Sequence, residues 1–282
     1  MQNPGYLLFP IELLKNFDLM WSFLLIVVRF TAMMLVMPGL GGGMAGMRVR
    51  LPAVLIMGYA SSLRGPHADL PSDYVTLCTS LGSEVILGML LGMLPAMVIA
   101  GVQTAAQLAT TTMGLGAASL FDPTMNTSVS ALGRLLGDLL ICIFLTIGGH
   151  HAVIYAAAGL GGTIVPGTFL VSESTIAMFI ERVGAIFVAG AMISAPVVVA
   201  ILLTNFVMGL VSRAVPQVNI FIINFPLTIG IGLVLSILSL PELVQLIDRD
   251  FVNIEQQIFV VAEGTERVQP AEPEAAAAPS AR

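Results

Sequence analysis

The chain has 282 residues, 57% hydrophobic and 10% charged, with a mean hydropathy of +0.96 and a formal net charge of −6. Soluble domains carry about 25% charged residues, so this composition excludes an ordinary water-soluble fold. The acidic balance and the lack of any basic face exclude nucleic-acid recognition.

The first elements follow in chain order. Lys15 is flanked by Glu12 and Asp18, so Met1–Phe17 lacks the basic start of a signal peptide. Leu19–Met37 is too long for a signal core and is expected to be an uncleaved first helix. Its single charge, Arg29, is expected to face a helix bundle or to snorkel. Pro38–Pro52 is expected to be a Gly-rich cytoplasmic loop holding Arg48 and Arg50. Gly41, Gly43 and Gly46 match a dinucleotide fingerprint in form only, because no strand precedes them and no soluble βαβ unit follows. Leu51–Leu63 is too short to cross a bilayer and is expected to be a half-span or part of a broken helix.

The run from Tyr74 to about Gly101 carries Glu84 and then Gly88, Gly92 and Ala96, a spacing that lets helix backbones approach. Pro95 is expected to kink this helix. Glu84 fits either a proton or ion site, or a carboxylate paired with an arginine of a neighbouring helix. Val102–Asn126 combines Gln103, Gln107, three consecutive threonines at 110–112 and the turn Asp122-Pro123. It is too polar for lipid and too apolar for an ordinary loop. An internal plug or pore loop is expected, with a plain interhelical loop as the alternative.

Ser130–Gly148 begins another helix, in which Arg134 and Asp138 lie one turn apart and can pair, and Gly133 and Gly137 repeat the small-residue step. His150 and His151 are adjacent and make a poor metal pair, so a capping or interfacial role is expected. Cys78 and Cys142 lack metal-ligand spacing and are expected to pack as small hydrophobes. Gly159–Ser172 reads as a loop. A helix from Glu173 is expected to be interrupted by Pro196, with Val197–Leu210 running on to a polar turn.

That turn comprises Arg213, Pro216, Gln217 and Asn219, set between the charge-free runs Val183–Ser212 and Ala214–Pro241. Such residues are too costly to leave against lipid, so the turn is expected at the tip of a helical hairpin, on the cytoplasmic side with Arg48 and Arg50. Pro226, Gly230 and Gly232 are expected to loosen the returning helix. Leu243–Val261 is mildly amphipathic, and Gly264–Arg282 has a disordered, acidic Pro/Ala-rich composition.

Asn205–Phe221, with Phe225-Pro226-Leu227-Thr228 and Gly232 after it, resembles the signature of the FliR/SctT family of type III export apparatus core subunits. Pro38 with Arg48, Glu84 with Gly88, Gly114 through Asp122-Pro123, and Gly148-Gly149-His150 resemble the family's other landmarks, in order. The similarity runs from about Phe17 to Asp250. It implies an all-α protein of helical hairpins packed in a hetero-oligomeric ring. Residues 1–262 would form the export-gate domain, with a FliP-like part at about 17–175 and a FliQ-like hairpin at about 176–250; residues 263–282 would be the tail. It implies FliP-like and FliQ-like partners, and FlhB-like and FlhA-like proteins near the Arg213 turn. Met113, Gly114, Leu115, Gly116, Phe121, Asp122 and Pro123 would then belong to the plug of a pore passing unfolded polypeptide. Arg29, Glu84, Arg134 and Asp138 would be structural charges within the membrane. No catalytic group, metal or cofactor is implied, and the location implied is the bacterial inner membrane in a flagellar basal body. The rival readings are the injectisome homologue, a proton-coupled transporter using Glu84, Asp138 and Arg134, and an intramembrane enzyme. A transporter should show two matched halves, and an enzyme a nucleophile–base or metal pair; neither pattern is visible in the sequence.

Overall fold

A computed structural model describes residues 17–39, 43–114, 131–159, 164–217 and 219–265. Its regular elements are helices: α1 (Phe17–Val36), α2 (Gly43–Ser62), α3 (Tyr74–Met113), α4 (Ala131–Ile147), α5 (Gly149–Ala157), α6 (Glu173–Ala214), α7 (Ile220–Leu238) and α8 (Leu240–Ala262). Among the described residues, α1, α3 and α6 are long and apolar enough to cross a membrane. α4 and α5, bent by 70° at Gly148, add a fourth span if they act as one. The chain is an all-α polytopic membrane protein.

The centre is α3, a single helix of 40 residues against which α1, α4, α5, α6, α7 and α8 all pack. At 1.5 Å per residue it is about 60 Å long, roughly twice the hydrocarbon thickness of a bilayer. It passes through Pro95 and includes residues 102–113, where a non-helical plug was expected. The reason is local. Thr104, Thr110, Thr111 and Thr112 donate their hydroxyls to carbonyls three or four residues back, so their polarity is absorbed inside the helix. Gln103 and Gln107 are exposed.

Two further expectations are corrected. α2 is helical from Gly43 and carries Arg48, Arg50 and Pro52 inside it, where a loop running to Pro52 was expected. α6 runs unbroken through Pro196 for 42 residues, its first turn capped by the Ser172 hydroxyl, which accepts from the Thr175 amide at 3.2 Å. A proline removes only one intrahelical hydrogen bond, and packing on either side outweighs that loss here.

Close approach sets the helix directions. A Cβ on Gly88 would overlap the Arg29 carbonyl, and one on Gly92 would lie 2.6 Å from the Met33 carbonyl, so α1 and α3 run parallel with backbones nearly touching. Gly58 lies against Val27 while Leu51 shares a groove with Met34 and Leu35, so α2 runs antiparallel to α1. α6 runs parallel to α3, with Gly190 on Thr104 and Val197 and Ile201 packed with Ala109 and Met113. α7 and then α8 return along α6: Asn224 meets Asn205, Asp250 meets Arg182, and Val260 meets Thr175. The returning limb of the hairpin therefore extends past Asp250, to the end of α8.

The main core lies at the α1–α3–α4–α5–α8 junction, where Phe30, Met33, Leu91, Phe144, Val153 and Ile258 are buried together. Cys78 and Cys142 are free thiols, exposed rather than packed in the core as expected. Residues 266–282, most of the acidic tail, lie outside the described residues.

Candidate functional site

Three places gather the residues that the sequence singles out. The first is an ion pair inside the helix bundle. Arg29 Nε donates to Glu84 Oε2 at 2.5 Å and Nη2 to Oε1 at 2.9 Å, with the two side chains 1% and 0% exposed. This forked geometry is the strongest that a guanidinium and a carboxylate make. Arg29 Nη1 also donates to the Ala157 carbonyl at 3.2 Å, at the C-terminal end of α5, where the helix dipole favours a cation. Glu84 Oε1 accepts a further bond from the Gly167 amide at 2.5 Å. Gly167 sits at φ +82°, a left-handed conformation natural to glycine, and that turn aims its N–H at the carboxylate. The 164–172 segment is held at its other end by the Leu170 amide, which donates to the Gly264 carbonyl at 2.8 Å. One buried charge cluster thus joins α1, α3, α5 and a connecting segment. Of these partners, Ala157 and Gly167 were not anticipated.

The second place is the C-terminal end of α3. Met113 is buried against Gly232, where an added Cβ would lie 2.5 Å from its terminal methyl, and its carbonyl accepts from the Thr228 hydroxyl at 3.2 Å. Gly114, at φ +81°, ends the helix, and the Phe225 ring lies over it. Gly232 is therefore a seat for Met113 rather than a loosening of α7. Sequence reasoning missed this seat; the one-residue gap of small side chain at 232 was its only signal. Leu115, Gly116, Phe121, Asp122 and Pro123 lie outside the described residues.

The third place is the tip between α6 and α7. Arg213, Pro216, Gln217 and Asn219 are all exposed, with Arg213 in the last turn of α6, favourable to the dipole there. Below the tip Asn224 Nδ2 donates to Asn205 Oδ1 at 2.9 Å and ties the hairpin together.

The other predicted charges behave differently. Arg134 and Asp138 are exposed, and the ion pairs among the described residues are Arg29–Glu84 and Arg182–Asp250. The Arg182–Asp250 contact, at 3.2 Å, is half-exposed and was not anticipated. With its amide turned to face Arg182, Gln257 accepts from Nε at 2.8 Å and completes a polar clasp between α6 and α8. His150 and His151 stack with ring centroids 4.1 Å apart, and no group of three or more His, Cys, Asp or Glu suited to a metal occurs among the described residues.

The family model for bacterial export proteins, family 1, matches residues 20–254. The chain belongs to that family. Among its relatives, the flagellar biosynthetic protein FliR of Escherichia coli K12 is 26% identical over 228 residues, 81% of this chain and 87% of the relative. The FliR of Caulobacter vibrioides is 30% identical over 77% of this chain and 87% of its own length. The Yop proteins translocation protein T of Yersinia pestis is 26% identical over 77% of this chain and 85% of its own. The matched range of this bacterial export protein takes in all three places described above.

Proposed function

We propose that this chain is a core subunit of the flagellar type III protein export gate, in the bacterial inner membrane, forming with FliP-like and FliQ-like subunits the channel through which unfolded flagellar subunits leave the cytoplasm. The observation that carries this reading is the similarity to FliR proteins over most of both chains. Two physical features support it. α3 and α6 are each about 60 Å long, twice what hydrocarbon requires, so much of each helix must lie beside protein or above the bilayer. α6 is also bare: 22% of its most apolar window is buried within the chain, against 56% for α3. Helix faces of that kind require either lipid or the helices of partner subunits.

In this reading Met113 and Gly114 are the first residues of the plug, and the packing of Met113 on Gly232 and of Phe225 on Gly114 is its hinge. A seal for unfolded polypeptide must fit any side chain, and flexible methionine with small residues does this better than a charged filter. The Arg213 tip is the cytoplasmic contact for FlhB-like and FlhA-like proteins. Arg29 and Glu84 are structural, with energy for transport supplied by partners. The injectisome reading is the second one, supported by the Yersinia relative.

A deletion strain tests both. Loss of motility and of hook and filament secretion, restored by the full chain, is the expected result. Normal motility with loss of effector secretion would move the assignment to an injectisome. Affinity purification in mild detergent should bring down FliP-like and FliQ-like proteins.

A further inference from the structure

We propose that Gln103, Gln107 and Thr111 on α3, with Arg134 and Asp138 on α4, form a wetted strip along which exported polypeptide slides. This assignment rests on the export-gate role proposed above and adds to it one wall of the path. All five residues are exposed. On α3 they recur every four residues and so share one face, as do Arg134 and Asp138 on α4. The Gln103 side chain rests on Gly137, where an added Cβ would lie 2.5 Å from its amide nitrogen. Asp138 is the next residue of α4, so the two polar faces adjoin. Leu108 borders the strip on α3, and Leu135 and Leu139 border it on α4.

Lipid, a partner subunit and water are the three media that can cover such a surface. Hydrocarbon offers nothing to two amides, a guanidinium and a carboxylate, and each is costly there. A dry protein interface favours pairing of neighbouring charges. Arg134 and Asp138, one turn apart, form no ion pair among the described residues. Charges that stay apart at that spacing are solvated charges. The apolar media have a surface of their own on α6, where Leu203 and Phe206 are uncovered. The strip also leads to Met113 and Gly114, the end of α3 where the proposed plug begins. Its chemistry suits a chain of any sequence. Glutamine amides both donate and accept, so they replace water at the backbone groups of an extended polypeptide. Arg134 and Asp138 cancel in net charge, so the strip holds neither acidic nor basic segments, and a path must bind weakly enough to release.

The test uses the full chain with its partners in a deletion strain, with Cys78→Ser and Cys142→Ser removing the exposed native thiols. Gln107→Cys and Asp138→Cys are compared with Leu203→Cys, whose parent side chain is 63% exposed on the apolar face of α6. In secreting cells a charged, membrane-impermeant thiol reagent should label both strip positions severalfold faster than the Leu203→Cys control. A photo-crosslinker at Gln107 should join an export substrate stalled by a folded C-terminal fusion, and one at Leu203 should not. With secretion intact, labelling at either strip position no faster than in the control overturns the strip. So does a crosslink from Gln107 to a neighbouring subunit or to lipid, or one to substrate that is as strong from Leu203. Secretion that does not depend on the chain overturns instead the export-gate reading beneath it.

Discussion

Arg29 and Glu84 are 55 positions apart in sequence and share no local motif, yet each is close to fully buried and each is satisfied by the other. Removing one partner of a buried pair strands an uncompensated charge and costs about 3–5 kcal/mol, whereas replacing both by apolar residues of similar size is often near neutral. Glu84→Met alone should therefore sharply lower the thermal transition of the detergent-solubilised complex. The double variant Arg29→Met with Glu84→Met should recover most of that loss. Additive losses in the two single variants and the double would show that the pair is not a closed unit. At this scale the sequence was legible where a side chain had no acceptable alternative: an arginine and a carboxylate in apolar runs each require a partner. It was not legible where the partner is backbone, because the Ala157 carbonyl and the Gly167 amide carry no residue-type signature. Arg134 and Asp138 are a different case. Their spacing permits a pair without compelling one, and both side chains remain exposed.

Helices were legible by their apolar runs, but their ends were not. The expected breaks at Pro196 and in residues 102–113, and residues 43–52 of the expected loop, all lie inside helices. Proline and threonine weigh against a helix locally, while packing along a 40-residue neighbour is a long-range effect that no short window contains. The step at Gly88 and Gly92 was read correctly because its mechanism is geometric. Gly88→Val would push a branched side chain into the Arg29 backbone, and overpacking of this kind costs about 1–3 kcal/mol. Because Gly88 lies one turn from Glu84, the same variant should also disturb the ion pair. Lower yield of folded complex than for Gly82→Val, whose site has open space around it, is the expected comparison. At the other end of α3, deleting Gly114–Ser119 should loosen the proposed gate. Ion leakage through the assembled complex in a membrane-potential assay is the readout, and a deletion mutant as tight as the wild type would remove these residues from the seal.

For the whole molecule, the distribution of exposed apolar side chains is the decisive property. Phe187, Met192, Leu203 and Phe206 on α6 and Ile222 and Ile237 on α7 are each about two-thirds uncovered, while α1 and α3 are buried against one another. Composition made the chain a membrane protein but could not say which apolar medium covers which face, since lipid and a partner helix select the same residues. The helix lengths make that distinction physical, because a bilayer can cover only about half of α6. The chain expressed without FliP-like and FliQ-like partners should therefore aggregate or be degraded; a stable, monodisperse monomer with its helical content intact would contradict this. The exposed tip has a different role and a different test. The Arg213 and Gln217 side chains are exposed, so Arg213→Glu with Gln217→Ala should leave the chain's level in the membrane unchanged. If the tip docks cytoplasmic export proteins, the same variant should cut secretion of flagellar subunits at least severalfold, since reversing a charge at an interface brings like charges together. Secretion at the wild-type rate with normal chain levels would place the docking surface elsewhere, and reduced chain levels would show that the tip serves assembly instead.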